Sequence, residues 1–286
     1  MDWHWQSLLT KLPCYGLVRM IDRVCHPARP NRILIIMKCH TCLDLVVMFA
    51  LCLAAPFAMA GESVVYEVDG QPYEGYWASA GAGAPLVLLV HDWDGLTDYE
   101  VKRAGMLVEN GFSVFAADLF GQGVRPTEIA DRRKCTGELF ADRPKMRALM
   151  QGALDAAGKQ GGDVNNAATV GYCFGGTAVL EFARSGADLK GFATFHGGIA
   201  LPEGQDYTQT QGKVLILHGT ADTGIPMSQF AQLANDLEKA KVDHEMITYG
   251  GAPHAWTVFG SSRYREQADK DSWASFLGFL SAELQR

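Results

Sequence analysis

The chain has 286 residues, 48% hydrophobic and 20% charged, with a formal net charge of −7. That balance excludes a disordered tail, a collagen-like chain and a multi-span membrane protein. The acidic balance also argues against nucleic acid as a partner, because phosphate binding needs a basic surface.

Five of the seven cysteines (Cys14, Cys25, Cys39, Cys42 and Cys52) fall within the first 52 residues. That region reads as a leader. Met37-Lys38 supplies a methionine and a positive charge, residues 43–57 form an apolar stretch, and Ala58-Met59-Ala60 is a small-x-small cleavage site. Residues 37–60 are therefore read as a signal peptide, and the protein as exported to a bacterial periplasm or secreted. Residues 1–36 carry Trp3, Trp5 and scattered arginines without periodicity, and are read as an extension from a translation start placed too early. The alternative is a genuine basic n-region that turns residues 33–60 into an uncleaved membrane anchor. Cys39-x-x-Cys42 beside the apolar stretch is read as coincidence, not as a metal or redox pair. Without residues 1–60 a 226-residue domain remains, with 19 basic and 29 acidic residues and a net charge of −10.

Residues 64–68 and 73–78 alternate as strands around the turn Asp69-Gly70-Gln71-Pro72 and predict a hairpin. Residues 85–90 form a continuous apolar run, the mark of a strand buried on both faces. Residues 97–110 are helical up to Gly111, and residues 112–117 are a second buried run. Residues 126–143 are polar and irregular, as expected of a lid over a site. Helical spacing returns over 144–157. Short apolar strands follow at 167–171, 191–195 and 214–217, with helices near 176–184 and 228–240. Residues 244–248 give a last strand and 264–284 a final helix. Strands alternating with helices at this spacing predict a single α/β domain, its mostly parallel central sheet covered by helices on both faces.

Gly171-Tyr172-Cys173-Phe174-Gly175-Gly176 leaves a buried strand and opens a helix. This is the strand-to-helix elbow of the α/β-hydrolase fold, with cysteine in the nucleophile position. The glycines allow strand and helix to approach closely, and the helix terminus is expected to favour a thiolate. The partners then come in the required order. Asp222 stands in the loop after a late buried strand, and His254 in a tight loop after the last strand. Both positions lie at the carboxyl ends of parallel strands, where open sheets bind ligands. After the 85–90 strand comes His91-Asp92-Trp93-Asp94-Gly95-Leu96. This loop points to the Trp93 and Phe174 backbone N–H groups as an oxyanion hole, a device worth about 3–4 kcal/mol per donor. His91, His196, His218 and His244 show no ligand spacing and are read as core or strand-end residues.

Over residues 61–286 these features resemble the dienelactone hydrolase family. The resemblance implies a cysteine nucleophile, a histidine and an aspartate acting on a lactone or ester through an acyl-enzyme. It also implies an acid in the 91–96 loop that controls the thiol's proton. Asp92 stands in place of the family's glutamate, one methylene shorter. The family carries an arginine four residues after the histidine to grip a substrate carboxylate. Here that position is Val258, so a more neutral ester or lactone is expected, with Trp93, Phe174 and Trp256 around it. Arg132 and Arg133 are the candidates for a second family arginine from the lid.

The expected reaction therefore uses Cys173, Asp222 and His254, with Trp93 and Phe174 as oxyanion donors. It requires neither a metal nor an organic cofactor. The competing reading is a non-catalytic or redox-regulated relative in which Cys135, in the lid, forms a disulfide with Cys173.

Overall fold

The computed structural model describes residues 61–285, so the leader, signal and anchor readings of residues 1–60 lie outside the described residues. Strands β1 (Glu62–Val68) and β2 (Gln71–Ala78) form the antiparallel hairpin. Its turn is tighter than the sequence suggests. Asp69 and Gly70 alone make it, with φ of 51° and 71°, the double left-handed geometry that suits the twist of paired strands. Gln71 and Pro72 already pair with Val68 and Glu67.

The remaining strands are β3 (Pro85–Val90), β4 (Ser113–Ala117), β5 (Asp163–Tyr172), β6 (Gly191–Phe195), β7 (Lys213–Gly219) and β8 (His244–Tyr249). They complete one eight-stranded sheet in the order β1-β2-β4-β3-β5-β6-β7-β8. β3 to β8 run parallel to one another. Helices α1 (Asp98–Glu109), α2 (Ile129–Ala141), α3 (Arg143–Lys159), α4 (Phe174–Arg184), α5 (Met227–Ala240) and α6 (Glu266–Glu283) connect and cover them.

The continuous apolar run of β3 serves both faces, because alternate side chains of a strand point to opposite sides. Leu86, Leu88 and Val90 join a core with Met146 and Met150 of α3, Val179 and Phe182 of α4, and Leu233 and Leu237 of α5. Val87 and Leu89 join a second core with Ala104 and Leu107 of α1 and Phe276 and Leu280 of α6. Each fully buried leucine contributes about 1.5–3 kcal/mol.

Residues 126–143, expected to be irregular, contain α2 instead. Only Thr136 and Leu139 of this helix are buried. It follows from the helix formers Ala, Arg, Lys, Glu and Leu and not from an apolar stripe, so periodicity could not reveal it.

After β3 the chain moves to β4 on one side, then returns to β5 on the other. The carboxyl ends of β3 and β5 thus flank the point where the connection reverses, the usual crevice of open parallel sheets. Val90 and Gly171 are partners there, which sets the 91–96 loop beside the Cys173 elbow.

Candidate active site

Cys173 caps the amino end of α4 with φ 50° and ψ −110°, a conformation that costs a non-glycine residue about 1–3 kcal/mol. The surroundings impose it. A Cβ on Gly171 would run into the Gly175 carbonyl, and one on Gly175 into the carbonyls of Val90 and His91. The Cys173 N–H is fixed to the Phe195 carbonyl at 3.0 Å. β3, β5 and α4 therefore close on one another without side chains between them, and the thiol stands above the sheet edge.

His254 Nε2 lies 3.1 Å from Cys173 Sγ, and its Nδ1 lies 2.7 Å from Asp222 Oδ2. A carboxylate only accepts, so Nδ1 carries the proton and Nε2 is left bare to accept the thiol's. Asp222 Oδ1 takes the N–H groups of Gly224 and Ile225 at 2.9 and 3.0 Å. Burial pushes the Asp222 carboxyl up, but His254 and these two N–H groups outweigh it and hold it below the ordinary aspartate value.

The other side of the thiol is built differently. Burial pushes the Asp92 carboxyl up to about 6, even though Trp93, Cys173 and His254 favour its ionised form. Burial also raises the Cys173 thiol well above its ordinary value, with Asp92 adding to the effect and the Phe174 N–H opposing it. Burial therefore outweighs the help expected from the helix terminus and favours the thiol form of Cys173. The Trp93 N–H, expected to serve an oxyanion, donates to Asp92 Oδ1 at 2.5 Å and is engaged by that carboxyl.

Two residues whose site role the sequence did not reveal hold the 91–96 loop. The Leu119 N–H donates to His91 Nε2 at 3.1 Å, so His91 is neutral and donates from Nδ1 to the Asp92 carbonyl at 2.6 Å. Burial lowers its pKa, consistent with that neutral form. Glu100 accepts the Asp92 N–H at 3.3 Å and the Thr97 N–H and hydroxyl at 2.8 Å each. Burial pushes its carboxyl up to about 7. The spacing Thr97-x-x-Glu100 is a capping box, a signal that was available in the sequence.

Arg132 reaches the 91–96 loop, its guanidinium 5.3 Å from the Trp93 ring and 3.7 Å from Asp94. Phe140, at the end of α2, lies 5.6 Å from the Phe174 ring. The segment expected to be a lid is thus beside Trp93 and Phe174, as a helix. Arg133 is exposed, and its side chain makes no ion pair among the described residues. Trp256 is a correction. It is fully buried, packs on His196 and Tyr249, and donates to Ser272 Oγ at 3.4 Å, so it belongs to the core and is closed to a substrate. Val258 places no charge beside His254, but Arg263 joins Asp222, Ile225, Pro253 and His254 in lining a cavity of about 350 Å³. Cys135 and Cys173 are both free thiols. Among the described residues no cluster of three or more His, Cys, Asp or Glu side chains is arranged to hold a metal.

The sequence model of the dienelactone hydrolase family matches residues 74–284. A Salmonella typhimurium protein named "Putative carboxymethylenebutenolidase" is 25% identical over 226 residues, covering 74% of this chain and 84% of that one. Among solved structures, a dienelactone hydrolase-like promiscuous phosphotriesterase from metagenomic libraries superposes with a TM-score of 0.74. It is 29% identical and covers 80% of this chain and 100% of its own. Esterase 2 of Thermogutta terrifontis, at 17% identity and a TM-score of 0.56, shares the fold.

Proposed function

The chain belongs to the dienelactone hydrolase family, and we propose that this ester or lactone hydrolase works through a thioester on Cys173. The observation that carries the reading is the line Asp222–His254–Cys173, with contacts of 2.7 and 3.1 Å, ending on a strained elbow.

Substrate entry displaces the Asp92 carboxylate from the Trp93 N–H, and the substrate carbonyl oxygen takes its place between Trp93 and Phe174. Sγ attacks the carbonyl carbon as its proton passes to His254 Nε2. Asp222 supports the resulting imidazolium. The tetrahedral intermediate collapses, and the leaving alkoxide takes the proton from Nε2. Water then attacks the thioester with His254 as base, the acid product leaves, and the thiolate regains its proton. Asp92 stabilises the resting thiol and serves as a second acceptor for its proton when ionised. Val258 in place of a cation favours a small ester or lactone without a carboxylate beside the reacting bond, with Arg263 at the His254 cavity and Arg132 beside Trp93 as the cations that remain nearby. The relatives' name denotes a carboxymethylene-substituted butenolide, a lactone that carries a carboxylate, so the neutral preference is specific to this chain's site. The protein is further proposed to be exported, which sequencing the amino terminus of the mature chain tests.

The test is turnover of p-nitrophenyl acetate and a panel of neutral and carboxylated lactones by the chain and by Cys173→Ala. Hydrolysis of neutral members that vanishes in the variant is expected. Equal rates in the two proteins would sink the mechanism, and activity on carboxylated lactones alone would reverse the reading of Val258.

A further inference from the structure

We propose that Thr257 and His196, which touch no reacting atom, are positioning residues that hold the His254 loop through a directed hydrogen-bond chain anchored on Arg103 and Asp269. The proposal rests on the triad reading, since it gives His254 its task.

The chain starts at a buried guanidinium. Arg103 of α1 is 1% exposed and is paired with Asp269 of α6. It donates to the Thr257 carbonyl at 2.9 Å and to the Tyr99 hydroxyl oxygen at 3.2 Å. Four aromatic rings surround it, those of Tyr99, Tyr172, Phe259 and Trp273. Tyr99 Oη lies 2.8 Å from Thr257 Oγ1, which lies 2.8 Å from His196 Nε2.

The direction follows from donor counting. A guanidinium can only donate, so the Tyr99 oxygen is already an acceptor and its own proton is free to go to Thr257. The Thr257 proton then goes to His196 Nε2. The opposite direction leaves the Tyr99 proton only the buried Tyr172 hydroxyl as acceptor, and it leaves His196 Nδ1 as a bare lone pair beside the residue's own carbonyl. His196 is thereby fixed as the neutral tautomer with its proton on Nδ1. Among the described residues that nitrogen has no hydrogen-bond partner beyond its own backbone carbonyl.

The consequence reaches the catalytic loop. Thr257 lies three residues past His254 and is held by its carbonyl from α1 and by its hydroxyl from both α1 and β6. The His196 ring stands 5.1 Å from the His254 ring, at 63° to it. His196 itself is set at the end of β6 with φ 42°, its N–H on the Leu217 carbonyl. The groups facing it are His254, His218, Arg103 and Tyr172. Burial pushes its pKa well below the ordinary histidine value, and the neighbouring His254 and Arg103 push the same way. A neutral ring beside His254 does not repel the imidazolium that catalysis requires, whereas a charged one would.

The experiment combines ¹⁵N-histidine NMR with kinetics on the full chain, the His196 signal being assigned by its loss in His196→Gln. The wild type is expected to show the Nδ1–H tautomer at His196, without titration between about pH 6 and 8. Thr257→Val is expected to remove that tautomer preference and lower kcat about 10-fold while KM stays within about 2-fold. Thr257→Ser, which keeps the hydroxyl, is expected to restore both. An Nε2–H tautomer in the wild type overturns the proposal, as do equal effects of Val and Ser. The tautomer is read without turnover, so a wild-type chain that hydrolyses nothing fails the triad reading alone. If Thr257→Val does not fold, the wild-type spectrum still decides the direction of the chain.

Discussion

Asp92 neighbours the Cys173 thiol directly and Asp222 lies behind His254, 7% and 4% exposed, and their environments drive them apart. Asp222 receives two backbone N–H groups and the His254 ring and is held low. Asp92 receives one N–H and shares its neighbourhood with a second buried acid, Glu100, and it is pushed up to about 6. Burial pushes both carboxyls up; it prevails at Asp92, the more deeply enclosed of the two, and yields at Asp222 to the donors aimed at it. In the proposed mechanism Asp222 is held ionised and orients His254 as the base. Asp92 is poised to exchange a proton near neutral pH, which suits a residue that guards a thiol.

Asp222→Asn should break the contrast most severely. An amide can present the wrong group to Nδ1 and stabilises no imidazolium, so kcat on the best ester should fall about 10⁴-fold. Asp92→Asn should cost less, about 10–100-fold in kcat, because His254 still takes the thiol proton. It should also flatten the rise in activity expected through about pH 6 as Asp92 ionises. An unchanged pH profile in Asp92→Asn would remove Asp92 from proton control.

Stability should separate the two in sign. Asp92 has a raised native pKa, so the native state binds more protons than the unfolded state and its contribution to stability falls as pH rises from about 4 to 6. Asp222 has a lowered one, so its contribution is present above the ordinary aspartate value and is lost as pH falls through the native pKa. Asp92→Asn should thus raise Tm relative to wild type at pH 8 and not at pH 4, and Asp222→Asn should lower it at pH 8. The smallest effect belongs to Arg132→Ala, which removes a cation from the Trp93 ring worth about 0.5–1 kcal/mol and should raise KM about 2–5-fold.

The same contrast marks what was legible in the sequence. Features written in local patterns were readable: the buried run of β3, the glycine-framed Cys173, and the positions of Asp222 and His254 after their strands. α2 was missed because a helix with two buried residues leaves no periodicity. Trp256 was misplaced because proximity in sequence to His254 says nothing about which face of a loop a side chain takes. The state of Cys173 was half legible, because the helix terminus that favours a thiolate is visible in sequence, while burial and the reach of Asp92, which oppose it, are not. His196, Thr257, Arg103 and Asp269 are spread over the chain, and only the sheet order brings them together.

The most direct test of the triad reading is to quench the chain with acid during turnover of p-nitrophenyl acetate and map the acyl group by peptide mass spectrometry. One acetyl group on the peptide containing Cys173, absent from Cys173→Ala, is the expected result. Turnover at the same rate with no acyl group on Cys173, or with the variant equally active, would contradict it.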